Sequence, residues 1–215
     1  MPQSTSSPSD RRKRPDPLPI QRTREHRALS PQELVLWLRS HQSGMAERWL
    51  LEIRSRVQGL GEGESELLRE FATLMTSFLP EGLDVYRDQA MPLFHQAAEL
   101  YGHLAAVRGL AAGEAVEEVQ LLREVILRYL YRHPPASGQG LGLRELLQLS
   151  RLVDHAVTHT SIGHTDTLFF NLFQGNGVPE GPTPEILNEV RDQLQALRQE
   201  LASLQSLEDV EPDLQ

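Results

Sequence analysis

The run Glu114-Ala115-Val116-Glu117-Glu118-Val119-Gln120-Leu121-Leu122-Arg123-Glu124-Val125-Ile126-Leu127-Arg128-Tyr129-Leu130-Tyr131-Arg132-His133 decides the fold. Val116, Val119, Leu122 or Arg123, Ile126 and Leu130 recur at intervals of three and four, which sets them on one stripe of a helix. Acidic residues occupy its first turn and Arg132 and His133 its last, so the charges oppose the helix dipole at both ends. Pro134 and Pro135 then stop it, since neither has the backbone N–H that another turn needs. A chain built around such a helix is expected to be all-α, a compact helical bundle of about five to six helices followed by a C-terminal heptad helix.

Towards the N-terminus, Ser30-Pro31-Gln32-Glu33 is a helix start, with Ser30 as N-cap, Pro31 in the first helical position and Glu33 closing a capping box. Leu34, Leu38, Met45, Trp49 and Ile53 continue at helical spacing, with a break expected around His41 to Gly44. Gly59, Gly61 and Gly63 end that unit. A second helix is expected from about Glu64 to Leu79, with Leu67, Leu68, Phe71, Leu74, Met75 and Phe78 on its apolar face and Pro80 ending it. Between Gly82 and Gly109 the pattern gives a short helical piece and, after Pro92, a longer one through Phe94, Ala97, Leu100, Tyr101 and Leu104.

Towards the C-terminus, the Pro- and Gly-rich segment 134–142 is a connection to a helix spanning roughly Leu143 to His159, whose pattern leaves open a continuation through Gly163 to Phe173. Leu168, Phe169, Phe170, Leu172 and Phe173 form the most apolar short run and are expected to cover an open end of the bundle. Residues 174–182 read as a hinge. Thr183-Pro184-Glu185 caps a last helix in which Leu187, Val190, Leu194, Leu197, Leu201 and Leu204 repeat at 3-4-3-4-3, a heptad seam. Such a seam suits a dimerisation helix, with docking on the bundle as the alternative. The expected organisation is a disordered basic tail over 1–28, a helical sensory or interaction domain over 29–173, the hinge, a coiled-coil helix over 183–206 and an acidic disordered tail over 207–215.

Composition narrows the function. The 215 residues include no cysteine, which removes disulfides and thiolate metal sites. No apolar run is long enough to span a membrane and no signal peptide is apparent, so a cytoplasmic protein is expected. The first 28 residues carry seven basic and three acidic side chains, so the rest of the chain holds −13 while the whole is at −9. A body that acidic repels phosphates, and no nucleic-acid partner is expected for it. The basic cluster Arg11-Arg12-Lys13-Arg14 is a solubilising tail or a contact for an anionic surface.

Few residues point to chemistry. His155 and His159 stand at i, i+4 with His164 beyond, a spacing that puts two imidazoles on one helix face and can hold a metal. Ala156 occupies the position where a helical metalloprotease carries Glu, so that reading fails. A structural or solvent-facing pair is the expectation, because no third ligand on another element is apparent. His95 and His103, two turns apart, are candidates for a haem ligand or a pH-responsive group. Gly138-Gln139-Gly140-Leu141-Gly142 has no preceding strand or following lysine, which makes it a linker and not a phosphate cradle. Arg123 lies on or beside the apolar stripe, where Glu47, Glu70 or Glu99 could pair with it or where it snorkels to solvent at the stripe's edge. With no catalytic constellation and no cofactor motif, a non-enzymatic protein is expected.

Tyr101-Gly102-His103-Leu104-Ala105-Ala106-Val107-Arg108-Gly109-Leu110, followed by Glu117-Glu118-Val119-Gln120-Leu121-Leu122-Arg123-Glu124-Val125-Ile126-Leu127, resembles the RsbRD-type N-terminal domain of RsbT co-antagonist proteins. Gly44-Met45-Ala46-Glu47-Arg48-Trp49-Leu50 is similar to the first helix of that family, and the likeness spans roughly residues 32 to 160. The resemblance implies an all-helical sensory or interaction domain of bacterial stress signalling that feeds a C-terminal output. No phosphorylatable antagonist domain, kinase core or cyclase follows in this sequence. Output is therefore expected through dimerisation or an unidentified signalling protein. The alternative is a small-ligand, metal or haem sensor using histidines between helices.

Overall fold

The computed structural model describes residues 30–57, 59–135, 142–175, 177 and 181–208. They form six helices and no strand: α1 (Pro31–Arg56), α2 (Glu62–Glu81), α3 (Arg87–Val107), α4 (Ala112–Arg132), α5 (Leu143–Phe173) and α6 (Pro184–Glu208). The expected basic tail over 1–28, the linker residues 136–141 and residues 209–215 lie outside the described residues. None of the described helices is long and apolar enough to cross a membrane.

The helix starts follow from local chemistry. At α1 the backbone N–H of Ser30 donates to Glu33 Oε2 at 2.7 Å and that of Glu33 donates to Ser30 Oγ at 3.2 Å, the capping box expected there. Glu64 and Glu114 accept from the N-cap N–H groups of Gly61 and Ala111 at 2.7 and 2.8 Å, so α2 and α4 keep the carboxylate half of the same device. α3 ends at Gly109, whose φ of +80° allows Leu110 N–H to reach Ala105 C=O at 3.1 Å and Gly109 N–H to reach Ala106 C=O at 3.0 Å. That left-handed turn sends the chain directly into α4.

Tertiary packing overrides several local signals. α1 runs unbroken through His41–Gly44, because Trp37, Leu38, Met45 and Trp49 are all buried on one side and hold the turn between them. Pro80 lies inside α2 and does not stop it at Leu79, and Pro92 lies inside the single helix α3. α5 is one helix of 31 residues, continuing past His159 and Gly163 to Phe173. Phe169, Phe170, Leu172 and Phe173 cover nothing: all four are exposed at its C-terminal end.

One core joins the bundle. Trp49, Phe71 and Tyr101 meet at its centre, with Tyr101 5.8 Å from Trp49 and 5.3 Å from Phe71 between ring centroids, the latter edge-on. Phe78 and Phe94 continue it at 5.7 Å. α1 packs on α2 and α4, α4 on α5, and α2 on α3, while the tightest pair is α3 with α5. The reason is glycine: a Cβ on Gly102 would fall 2.0 Å from the Thr160 carbonyl oxygen, and one on Gly163 would fall 2.0 Å from that of Glu99. The two backbones touch, which only a residue without a side chain permits. His95 faces His159, Glu99 faces Gly163 and His103 faces Thr167, each pair 64 residues apart, so α3 and α5 run parallel in one fixed register.

The heptad seam is already occupied. Val190, Leu194, Leu197 and Leu201 are buried against α2 and α3 of the same chain, with Leu187 and Leu204 half-buried at the ends of the row. The docked alternative is thus the arrangement seen within one chain. The cause is complementary charge beside an apolar row: Arg191 reaches Glu66 at 3.3 Å and Glu70 at 4.0 Å, and Arg198 reaches Glu70 at 3.7 Å.

Candidate functional site

A buried ionic hub sits beneath α4. The Glu118 carboxylate accepts two bonds from the Arg108 guanidinium, at 3.0 and 3.1 Å, and one from the Tyr101 hydroxyl at 2.7 Å. The Arg108 and Glu118 side chains are only 3% and 7% exposed. The backbone carbonyl of Glu118 meanwhile accepts from the Trp49 indole N–H at 2.6 Å. Burial, reinforced by the Glu118 charge, pushes the Tyr101 hydroxyl well above its usual range, so it remains a donor. The stripe of α4 therefore reads Ala115, Glu118, Val119, Leu122, Ile126, with Val116 turned partly outward. Arg123 is not the buried arginine; it pairs with Asp154 of α5 at a half-exposed edge, and not with Glu47, Glu70 or Glu99. An acid on an apolar stripe, with Arg108 ten residues upstream, was the sequence signal for this hub.

The histidines divide into two groups. His164 is buried and its Nε2–H donates to the Leu110 carbonyl at 2.8 Å, which ties the start of α4 to α5 and takes the ring away from His155 and His159. The third member beside that pair comes from α3. His95 stacks on His159 with centroids 3.8 Å apart and planes 10° apart, and lies 5.2 Å from His155. One ring nitrogen from each of the three lies within 4.8 Å of the others. His159 Nδ1 is 2.7 Å from Glu99 Oε1, one turn beyond His95 on α3. His95 Nε2 is buried and has no hydrogen-bond partner. Burial lowers the His95 pKa, the neighbouring His159 and His155 lower it further, and Glu99 opposes them.

His103, two turns along α3 from His95, bonds through Nδ1 to Thr167 Oγ1 at 2.9 Å. Burial lowers its pKa too, against the pull of Glu189 on α6. It borders a groove of about 680 Å³ between the ends of α3 and α5 and the start of α6, together with Val107, Phe170, Ile186 and Glu189. A neighbouring groove of about 520 Å³ is lined by Glu99 and Leu100 on α3 and by Gln193 and Leu197 on α6. α6 therefore forms one wall of both, and its position determines whether they exist.

Of the residues expected to carry function, the structure brings His155 and His159 together with His95 and leaves His164 elsewhere. The seam residues Leu187, Val190, Leu194, Leu197, Leu201 and Leu204 form one docked face. A family model described as the RsbT co-antagonist protein rsbRD N-terminal domain matches residues 43–168, which takes in the second half of α1, all of α2 to α4 and most of α5, and stops short of α6. No curated protein and no solved structure matches the chain.

Proposed function

We propose, from the premise that this chain belongs to the RsbT co-antagonist protein rsbRD N-terminal domain family, that it is a non-enzymatic cytoplasmic signalling domain whose output element is α6. The family is one of stress-signalling regulatory domains, and α1 to α5 share the core against which α6 packs. α6 exchanges between the docked position and a released one in which its leucine seam pairs with a second copy or with a helix of a signalling partner. A signal acts by binding one of those two arrangements more tightly than the other.

The observation that carries this reading is the attachment of α6. A seam in heptad register is held by one row of four buried apolar side chains, flanked by exposed ion pairs. The segment ahead of it contains Gly175, Gly177 and Gly181, all at positive φ, where a chain without Cβ atoms turns at little cost. The exposed aromatic end of α5 adds apolar surface next to the same junction.

The test uses the absence of native cysteine. Gly63 on α2 lies against Leu187 on α6, with a Cβ at Gly63 meeting Leu187 Cδ1 at 3.2 Å, so Gly63→Cys with Leu187→Cys introduces a reversible staple. Sedimentation equilibrium should show mass rising with concentration for the reduced protein and for a Glu66→Lys, Glu70→Lys variant, and a monomer for the oxidised one. Monomers at every concentration in all three, with α6 amides equally protected, would reduce α6 to an ordinary helix of the bundle.

A further inference from the structure

The parallel register of α3 and α5 brings three imidazoles to one point, and their hydrogen bonding is incomplete in a particular way. His159 has its Nδ1 engaged by Glu99 at 2.7 Å. In the neutral ring this makes Nδ1 the donor and leaves Nε2 with a free lone pair. His95 has a buried Nε2 with no partner, and a buried polar atom left so is costly unless something binds it. His155 is exposed, one turn from His159 on the same helix face, and can turn without disturbing the core. Imidazoles whose ring nitrogens lie this close, within 4.8 Å of one another, are the ligand type for borderline divalent cations.

We propose that His95, His155 and His159 hold a divalent transition cation, zinc in particular, with Glu99 as the carboxylate that orients His159. The nitrogen atoms lie within 4.8 Å of one another; a tetrahedral zinc with bonds of about 2.0–2.1 Å brings them to about 3.4 Å. The contraction requires the stacked rings of His95 and His159 to rotate so that their lone pairs meet, and His155 to swing inward from solvent. Three histidines leave the fourth position to water. Glu99 bonded to the ring nitrogen opposite the metal is the outer-shell arrangement that fixes the tautomer and raises ligand basicity. The cation would rivet α3 to α5 about one to two turns before the Gly102 and Gly163 crossing. This site is independent of the α6 reading.

The test is titration of the full chain, purified without a polyhistidine tag and stripped with chelator, with zinc chloride in a calorimeter at pH 7.5. One cation should bind per chain, and His155→Gln, at an exposed position that cannot unfold the protein, should weaken it at least a hundredfold. His95→Gln should do the same, while Glu99→Gln should weaken binding about tenfold to a hundredfold. Cobalt(II) provides a second readout, since loading the site should produce the visible absorption of a tetrahedral ion, lost in His155→Gln. Absence of saturable binding, or zinc binding to His155→Gln with the affinity of the parent, would overturn the assignment. Neither result bears on whether α6 undocks, which is measured with no metal present.

Discussion

α3 meets α5 and α6 meets the bundle through contacts of opposite kinds. Between α3 and α5 the backbones themselves touch at Gly102 and Gly163, and side chains bond across the pair from His95 to Thr167 along a single register. Between α6 and the bundle the contact is a row of aliphatic side chains with a rim of arginine–glutamate pairs on α2. The first interface has one geometry, because a helix cannot slide past a backbone-to-backbone contact without losing it. The second is an apolar strip that any complementary strip could replace. The family model covers the glycine-joined pair and ends before α6.

The largest effects should come from breaking the rigid part. Glu118→Ala leaves the Arg108 guanidinium buried with no counter-charge and deprives Tyr101 of its acceptor, and should cost about 3–5 kcal/mol in urea unfolding. Glu118→Gln retains an acceptor and should recover part of it. Next comes Gly163→Ala, whose methyl would collide with the Glu99 carbonyl. Neither backbone can yield alone, so about 3 kcal/mol is expected, with loss of the cooperative transition if α3 and α5 separate. A Gly163→Ala protein as stable as the parent would erase the distinction between the two interfaces. Leu194→Ala, at a fully buried seam position, should cost about 2–3 kcal/mol. Its cost should appear as faster amide exchange in α6, with α3 and α5 unchanged.

These contrasts were unequally legible in the chain. The helices could be read because apolar residues recur at three and four, a property each segment carries alone. The capping box at Ser30 was legible for the same reason. The seam was legible as a stripe and not as a contact: Leu187 to Leu204 define a face, and nothing within that face says whether its partner is α2 or another copy. Arg191 and Arg198 lie one heptad apart, and Glu66 and Glu70 one turn apart, so the match can be recognised only once α2 and α6 are side by side. Gly102 and Gly163 offered a signal, since each sits in a helix interior where glycine costs about 1 kcal/mol and so implies a close approach. His95 offered none. Its place beside His155 and His159 depends on the register of two helices joined through all of α4, which no local pattern encodes.

Acid should loosen the rigid pair before it affects the ion pairs at the α6 rim. His95 and His103 both have pKa values held below the ordinary 6.5. Around His95 the charged or titratable neighbours are His155, His159 and Glu99, and the one acting on His103 is Glu189. The folded chain thus binds fewer protons than the unfolded one between the depressed values and 6.5, so stability rises with pH across that window and is lost as pH falls through it. Urea midpoints measured from pH 8 down to pH 5 should decline, and His95→Gln should flatten the decline.

The smallest effect is expected at the α6 rim, as the proposed release of α6 requires. Arg191 is 33% exposed and its partner Glu66 59%, so water screens the pair and the two long side chains lose rotamer freedom in forming it. Arg191→Ala should therefore change the unfolding free energy measured in urea by less than about 1 kcal/mol. It should still matter for position, because the arginines set which way the leucine row faces and the leucines supply most of the burial. Raising salt from low to about 0.5 M should reproduce the substitution in the parent and have little effect in Arg191→Ala, since the Debye length there is only a few ångströms. Amide exchange in α6, followed at both salt concentrations, measures this directly. An Arg191→Ala protein that lost several kcal/mol, or lost them from α3 and α5 as well, would mean that α6 is bound into the rigid body and that only one kind of interface exists in this molecule.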